Sequence, residues 1–140
     1  MRRRILSATI DLLVEAGYQR LTIEGIAARA GVGKQTIYRW WPSKGAVVLD
    51  AFLEHHAATE GAGGTSAPLP ETGDFAADLR RLLRETVAEF SSEAFEAPYR
   101  ALIVAMQDDR ELADQVVEHI TRAGLDTVRE WLLHAREAGA

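Results

Sequence analysis

The apolar residues of this chain recur at intervals of three and four positions, and no segment alternates apolar with polar residues. Such intervals form a stripe along one side of a helix, whereas a half-buried strand needs strict alternation. Ile5, Ala8, Leu12 and Ala16 begin the pattern, and Gly17 supplies the residue that commonly ends a helix. The sequence therefore predicts an all-α protein whose first helix covers residues 3–16.

Residues with helix-capping chemistry set the limits of the next two helices. Thr22 is a suitable cap for a short helix over residues 23–30, which Gly31 ends. A third helix over residues 34–40 is expected to stop before Pro42, because a residue that precedes proline is pushed out of the helical region.

Similar signals organise the rest of the chain. Ser43 is the expected cap of a long fourth helix, and residues 61–73, rich in Gly and Pro, are predicted to form a loop. Pro98 is expected in the first turn of a later helix, where its missing N–H is tolerated. Asp108 followed by Glu111 resembles a capping box and predicts the start of the last long helix.

Residues 26–37 have the spacing of two helices that cross steeply after a tight turn. Such a corner needs a small residue at the crossing, a glycine in the turn and apolar residues that seal it. Ala27 and Gly31 are four residues apart, and Ile26, Val32 and Ile37 surround them. The spacing is typical both of a DNA-binding helix-turn-helix and of an αα-corner with a solvated polar face, and it leaves both interpretations open.

The charges are divided unevenly along the chain. The net charge is +4 over residues 1–50 and −9 over the remainder. Residues 34–44 contain no acidic residue, and residues 34–40 carry Lys, Gln, Thr, Tyr and Arg side chains that can contact bases or phosphates. A basic first third is typical of a module that binds an anion.

Residues 21–44, LTIEGIAARAGVGKQTIYRWWPSK, strongly resemble the DNA-binding signature of the tetracycline-repressor (TetR) family. Residues 15–18, EAGY, look like the end of that family's first helix, and the resemblance covers about residues 3–53. It implies an N-terminal three-helix bundle with a helix-turn-helix over residues 1–45. It also implies that residues 46–140 form a helical domain for effector binding and dimerisation.

The resemblance also implies roles for individual residues. Lys34, Gln35 and Arg39 match positions that contact base edges in the major groove. A second group matches positions that hold phosphates: Thr22, Thr36, Tyr38, Trp40 and Lys44. For the two aromatic residues of this group, packing at the corner is the alternative, and Trp41 matches a core aromatic position.

Three glycines depart from the family's pattern. Gly33 replaces a frequent capping serine, so the third helix is expected to lack a side-chain cap. Gly25 and Gly45 stand where acidic residues are frequent. Residues 2–4, three arginines, are expected either to contact DNA as an arm or to form a frayed terminus.

The later helices are expected, from the resemblance, to enclose a pocket for a small-molecule effector. Aromatic residues at helical spacing often belong to a core, so only some candidates are expected to touch a ligand. The candidate lining residues are Phe52, His55, Phe75, Phe90, Phe95, Tyr99, Met106, His119 and Trp131.

Other chemistry is weakly indicated. The four histidines lack metal-ligand spacing, and residues 61–64 lack the Lys-Ser/Thr of a phosphate loop. We expect no metal site, no cofactor and no enzymatic activity. No apolar run is long enough for a membrane span, and the absence of cysteine permits a reducing cytoplasm, where we expect the protein to act.

The leading hypothesis is a homodimeric transcriptional repressor that a small-molecule effector releases from double-stranded operator DNA. The alternative is an all-helical binding or scaffold protein whose helix-turn-helix corner is structural. Family members usually continue for about two more long helices beyond the position that matches Ala140, and those helices form the dimer interface. We therefore expect this chain to lack the family's last helices. The alternative is that it dimerises through the helices it has, such as the one predicted over residues 109–138.

Overall fold

The computed structural model describes residues 1–60 and 69–140, and no strand occurs in these two ranges. The fold is all-α, as predicted. The helices are α1 (Arg2–Ala16), α2 (Ile23–Ala30), α3 (Lys34–Trp40), α4 (Lys44–Glu60), α5 (Phe75–Phe90), α6 (Glu93–Asp108), α7 (Arg110–Val116) and α8 (Arg122–Glu137). A π-helical turn over Val117–Thr121 joins α7 to α8. Among the described helices, none is both long and apolar enough to cross a lipid bilayer.

The caps expected from the sequence define the ends of the first helices. The Thr22 hydroxyl accepts a hydrogen bond from the Gly25 N–H at 3.0 Å and begins α2. Gly31 ends α2 with a φ of +71°, a conformation that costs glycine nothing. The Ser43 hydroxyl accepts from the Ala46 N–H at 3.2 Å and begins α4. The predicted bounds of α2 and α3 are those observed.

The predicted position of Pro98 is wrong. Helix α6 begins at Glu93, directly after Ser92, so Pro98 lies in its second turn and not in its first. The proline therefore removes one hydrogen bond from the interior of the helix.

The predicted cap of the last long helix is wrong by one residue. Asp109 begins α7, and its Oδ1 accepts a hydrogen bond from the Leu112 N–H at 3.0 Å. Asp108 is the last residue of α6 and accepts instead from the Gln19 side chain at 3.1 Å. Adjacent aspartates make the capping residue ambiguous in the sequence.

The segment before α5 is held by a buried carboxylate. Residues 69–74 are not helical, and the remainder of the predicted loop, residues 61–68, lies outside the described residues. Asp78 accepts two hydrogen bonds from Thr72, one from the N–H at 2.9 Å and one from the hydroxyl at 2.7 Å. Asp78 is thereby anchored although it is almost fully buried.

One hydrophobic core joins the first four helices to α6 and α7. By contrast, Asp78 and Trp131 are the only buried residues among those described in α5 and α8. The N-terminal helices are therefore packed directly on the helices that follow them. The large, fully buried side chains of this core are Ile5, Leu13, Ile26, Ile37, Val47, Val48, Phe52, Leu102 and Leu112.

Candidate DNA-binding surface

Helices α2 and α3 form the corner that the spacing of residues 26–37 predicts. Ile26 and Ile37 are completely buried, and Ala27 is almost so. The Gly31 N–H and the Val32 N–H both donate to the Ala27 carbonyl, the latter at 3.0 Å. These bonds satisfy the carbonyls at the end of α2 and turn the chain into α3.

Helix α3 buries a single residue, Ile37. Its other side chains face outwards, with Thr36 partly buried and the rest exposed. Tyr38 is 49% exposed and Trp40 61% exposed, so neither packs into the corner. No side chain caps α3 at Gly33, as expected. The outward face consists of Lys34, Gln35, Thr36, Tyr38, Arg39 and Trp40.

The base-edge candidates lie close together because they share one short helix. Lys34 faces the Glu24 carboxylate of α2, with 3.6 Å between the ammonium nitrogen and the nearest carboxylate oxygen. Both side chains are more than half exposed, so the pair contributes little and leaves the ammonium group accessible. Thr22, at the start of α2, is also exposed.

Lys44 lies outside the α2–α3 corner, at the start of α4, and is partly buried. Its Nζ donates to the Tyr18 carbonyl at 2.9 Å and lies 4.1 Å from the centre of the Tyr18 ring. Burial, followed by the neighbouring Asp109, raises the pKa of the Tyr18 hydroxyl well above its ordinary value. The hydroxyl therefore stays protonated and donates a hydrogen bond to Asp109.

Trp41 and Arg2 hold the N-terminal helices against α4. Trp41 is buried, and its indole N–H donates to Asp50 Oδ2 at 2.9 Å. Arg2 donates to the same oxygen at 2.9 Å and also pairs with Glu54. Arg2 is the first residue of α1, so at that position the chain is neither a free arm nor a frayed terminus.

Four of the predicted pocket residues form one aromatic cluster between α4, α5 and α6. Phe95 is central, with ring centroids 4.9 Å from Phe90 and 5.0 Å from Tyr99. Phe52 lies on the other side, 6.2 Å from Phe95. Phe90 is 45% exposed, so the cluster opens to the surface along α5.

The other five pocket candidates lie elsewhere. Phe75 and Trp131 pair at 5.4 Å beside a separate cavity of about 330 Å³. His55 lines a surface cavity between α1 and α4, and Met106 packs against the core. His119 is exposed, with its Nδ1 2.9 Å from the Gln115 carbonyl. The nine residues are therefore divided among several sites.

Sequence reasoning missed His56 in the aromatic cluster. Its ring lies 6.0 Å from Phe52 and 5.5 Å from Phe95, and its Nδ1 is 3.5 Å from Glu89 Oε1. His56 is four residues after Phe52, which puts both on one side of α4. The four-residue spacing from Phe52 was therefore the signal that could have identified His56, rather than only His55, as a member of the cluster.

No group of three or more His, Asp or Glu side chains that could hold a metal ion occurs among the described residues. The polar groups of the α3 face are instead hydrogen-bond donors, cations and aromatic rings. Such groups bind an extended polyanion, because cations meet phosphates and planar donors meet base edges.

Two families match different parts of the chain. Residues 5–51 match the family described as "Bacterial regulatory proteins, tetR family". Residues 69–140 match the family described as "Tetracyclin repressor-like, C-terminal domain".

Individual relatives agree with these matches. The HTH-type transcriptional regulator YdeS of Bacillus subtilis (strain 168) is 38% identical over 81% of this chain and 53% of its own length. The DNA-binding transcriptional repressor TetR of Mycobacteroides abscessus is 32% identical over 86% of this chain and 60% of the relative. The solved structure of the TetR family transcription regulator SCO0332 is 37% identical, with a TM-score of 0.64 over 99% of this chain and 72% of that one. The chain spans about half the length of the first curated relatives that it matches.

Proposed function

Because the chain belongs to the TetR family of bacterial regulatory proteins, we propose that it is a transcriptional repressor whose α2–α3 corner binds operator DNA. The observation that carries this proposal is the outward face of α3, which buries only Ile37 and exposes cations, amide and aromatic groups. A helix of this kind fits the major groove of B-DNA, where base edges present a distinct donor and acceptor pattern.

Lys34, Gln35 and Arg39 are the proposed base-reading residues. Lys and Arg side chains donate to guanine, and Gln forms two hydrogen bonds with adenine. These contacts discriminate between sequences because the wrong base leaves a donor or an acceptor without its partner.

The proposed phosphate contacts surround the reading residues: Thr22, Thr36, Tyr38, Trp40 and Lys44. The Thr22 oxygen accepts a bond from α2, which leaves its hydroxyl proton available for a phosphate. Lys44 directs one of its three donor hydrogens to the Tyr18 carbonyl and has two left. These contacts add affinity without selecting a sequence.

Residues 1–45 and 46–140 are the proposed DNA-binding and effector-binding domains, with their boundary in the first turn of α4. The aromatic cluster of Phe52, Phe90, Phe95 and Tyr99 is the proposed effector site, since it is apolar and opens along α5. We propose a homodimer, because two reading helices on one duplex multiply the affinity of a single weak half-site. A repressor of chromosomal genes acts in the cytoplasm, which is the proposed location.

Selection of bound sequences from a random duplex pool tests the function. The full chain is expected to enrich one sequence, with an affinity that falls steeply with added salt. Replacing Gln35 or Arg39 by Ala should cost about 1–3 kcal/mol at particular base pairs and relax the preference there. Replacing Lys44 should weaken all sequences alike and flatten the salt dependence. Arg80→Ala, an exposed substitution on α5, is the charge-matched control and should change neither the base preference nor the salt dependence.

Two outcomes would contradict the proposal. A chain that enriches no sequence favours the alternative in which the corner is structural and the protein is a scaffold. Equal effects of Gln35 and Lys44 substitutions on base preference would refute the division into reading and phosphate-contacting residues.

A further inference from the structure

The N-terminal helices have a polar connection to helices farther along the chain, in addition to the bonds of Trp41 and Arg2 with α4 and the apolar core. We call residues 1–43 the head. The turn between α1 and α2 contacts the corner between α6 and α7, about ninety positions later in the sequence. The Tyr18 hydroxyl donates to Asp109 Oδ2 at 2.6 Å, and the Gln19 amide donates to Asp108 at 3.1 Å.

Asp109 is firmly held because its two oxygens have different partners. Oδ1 accepts from the Leu112 N–H at 3.0 Å and caps α7, while Oδ2 accepts from Tyr18. The bond from Tyr18, and then that from Leu112, lower the pKa of Asp109. The carboxylate is therefore ionised at neutral pH, and hydrogen bonds to an ionised acceptor are shorter and stronger than neutral ones.

Gly45 makes room for this carboxylate. A Cβ atom at position 45 would lie 2.9 Å from Asp109 Oδ2 and 3.5 Å from the Tyr18 hydroxyl oxygen, closer to the carboxylate than real Cβ atoms approach. An acidic side chain, which is frequent at this position in the family that the sequence resembles, would also repel Asp109. Lys44, the neighbouring residue, donates to the Tyr18 carbonyl at 2.9 Å. Three elements, the α1–α2 turn, the start of α4 and the α6–α7 corner, thus meet at one point.

We propose that Tyr18 and Asp109 are positioning residues for DNA binding, which set the orientation of the head relative to the α6–α7 corner. Neither Tyr18 nor Asp109 is among the proposed DNA-contacting residues. The consequence of their bond for DNA binding rests on the proposed function. The core that joins the head to α4, α6 and α7 is apolar, and apolar burial does not by itself specify direction. The hydrogen bonds of Tyr18 and Gln19 supply directional contacts with the α6–α7 corner, as those of Trp41 and Arg2 do with α4. The bond between Tyr18 and Asp109 connects the α6–α7 corner to the α1–α2 turn of the head without passing along the length of α4.

Spin labels measure the orientation directly. The chain contains no cysteine, so Ala28→Cys on α2 and Glu130→Cys on α8 introduce the only two labelling sites, both exposed. Dilution with unlabelled protein removes distances between subunits. Tyr18→Phe removes the hydroxyl and keeps the ring beneath Lys44, whereas Asp109→Ser keeps an oxygen that can cap α7 and loses the reach to Tyr18.

Thr9→Val is the matched control for lost stability. Its buried hydroxyl donates to the Ile5 carbonyl at 2.7 Å within α1 and takes no part in the bonds to Asp108 and Asp109. We expect a broader distribution of label distances in Tyr18→Phe and in Asp109→Ser. The double variant should show no further broadening, because both substitutions remove the same hydrogen bond. Thr9→Val should lower the unfolding midpoint and leave the distribution unchanged. An unchanged distribution in Tyr18→Phe would overturn the proposal.

The consequence for DNA is tested on the sequence that the full chain selects. Reading helices of a dimer must meet successive major grooves about 34–36 Å apart, so a base pair inserted between half-sites should weaken wild-type binding. In Tyr18→Phe this discrimination should fall by about tenfold, a factor that a hydrogen bond to a charged group can supply. Equal discrimination in wild type and Tyr18→Phe refutes the positioning role and leaves the repressor function intact. Failure of the wild type to select any duplex refutes the proposed repressor function. In that case the label distances still test whether the bond between Tyr18 and Asp109 orients the head.

Discussion

Replacing Ile37 by Ala should detach the reading helix from the molecule. Ile37 is completely buried and is the single buried residue of α3, whose seven residues are too few to remain helical alone. The substitution removes three carbons, worth about 2.4 kcal/mol at about 0.8 kcal/mol each. The cavity that remains raises the cost to about 3–4 kcal/mol. This is a large fraction of the roughly 5–15 kcal/mol that stabilises a typical native protein.

Urea unfolding followed by tryptophan fluorescence measures the effect, since Trp40 and Trp41 lie three and four residues after Ile37. With a slope of about 2 kcal/mol per molar urea, the midpoint should fall by about 1.5–2 M. Binding to the selected duplex should be lost in Ile37→Ala and retained in Ile37→Val, which removes one methyl group and costs about 1 kcal/mol. Val14→Ala, on the exposed side of α1, should change stability by no more than about 0.5 kcal/mol. Equal midpoints for Ile37→Ala and Val14→Ala would refute the reasoning.

Three further predictions concern the fold. The pKa of Asp109 is lowered in the folded state, so its contribution to stability is complete above the unfolded value of about 3.9 and is lost as the pH falls through the folded value. Melting curves between pH 7 and pH 3 should therefore show a smaller decline in Asp109→Ser than in wild type. Gly31→Ala should cost about 1–2 kcal/mol in thermal unfolding, because φ is +71° and an added Cβ meets no atom within 4 Å. Arg2→Ala should cost at most about 1 kcal/mol and leave the salt dependence of DNA binding unchanged, because Arg2 is paired with Asp50 and Glu54.

The head was predictable because local chemistry determines its boundaries. Thr22 and Gly31 act on residues three or four positions away, so a capped helix can be read from adjacent residues. The same holds for the inward side of α3, where one apolar residue lies among polar ones. At Pro98 the local rule failed, because α6 begins at Glu93 and the buried proline lies in its second turn.

The later half was less predictable because its features depend on contacts between distant segments. Helical spacing identifies an apolar side but does not say which helix covers it, so Phe75 and Phe95 could not be assigned to different clusters. The bond between Tyr18 and Asp109 joins residues 91 positions apart, and no pattern in either segment indicates it. Gly45 is the one sequence feature that relates to this contact. A glycine at a position where an acidic residue is frequent indicates that another group approaches the backbone there.

The division of labour within α3 has an evolutionary consequence. One of its seven residues holds the helix in place, while the other side chains contribute little to the core. Under the proposed function, mutational drift at positions 34, 35 and 39 can therefore alter which promoter is recognised without threatening the fold, whereas position 37 must stay apolar. After gene duplication, a copy of such a protein can acquire new target genes through single substitutions while remaining foldable at every intermediate. Within two turns of helix, the residues that can change are thus different from the residue that keeps the helix in place.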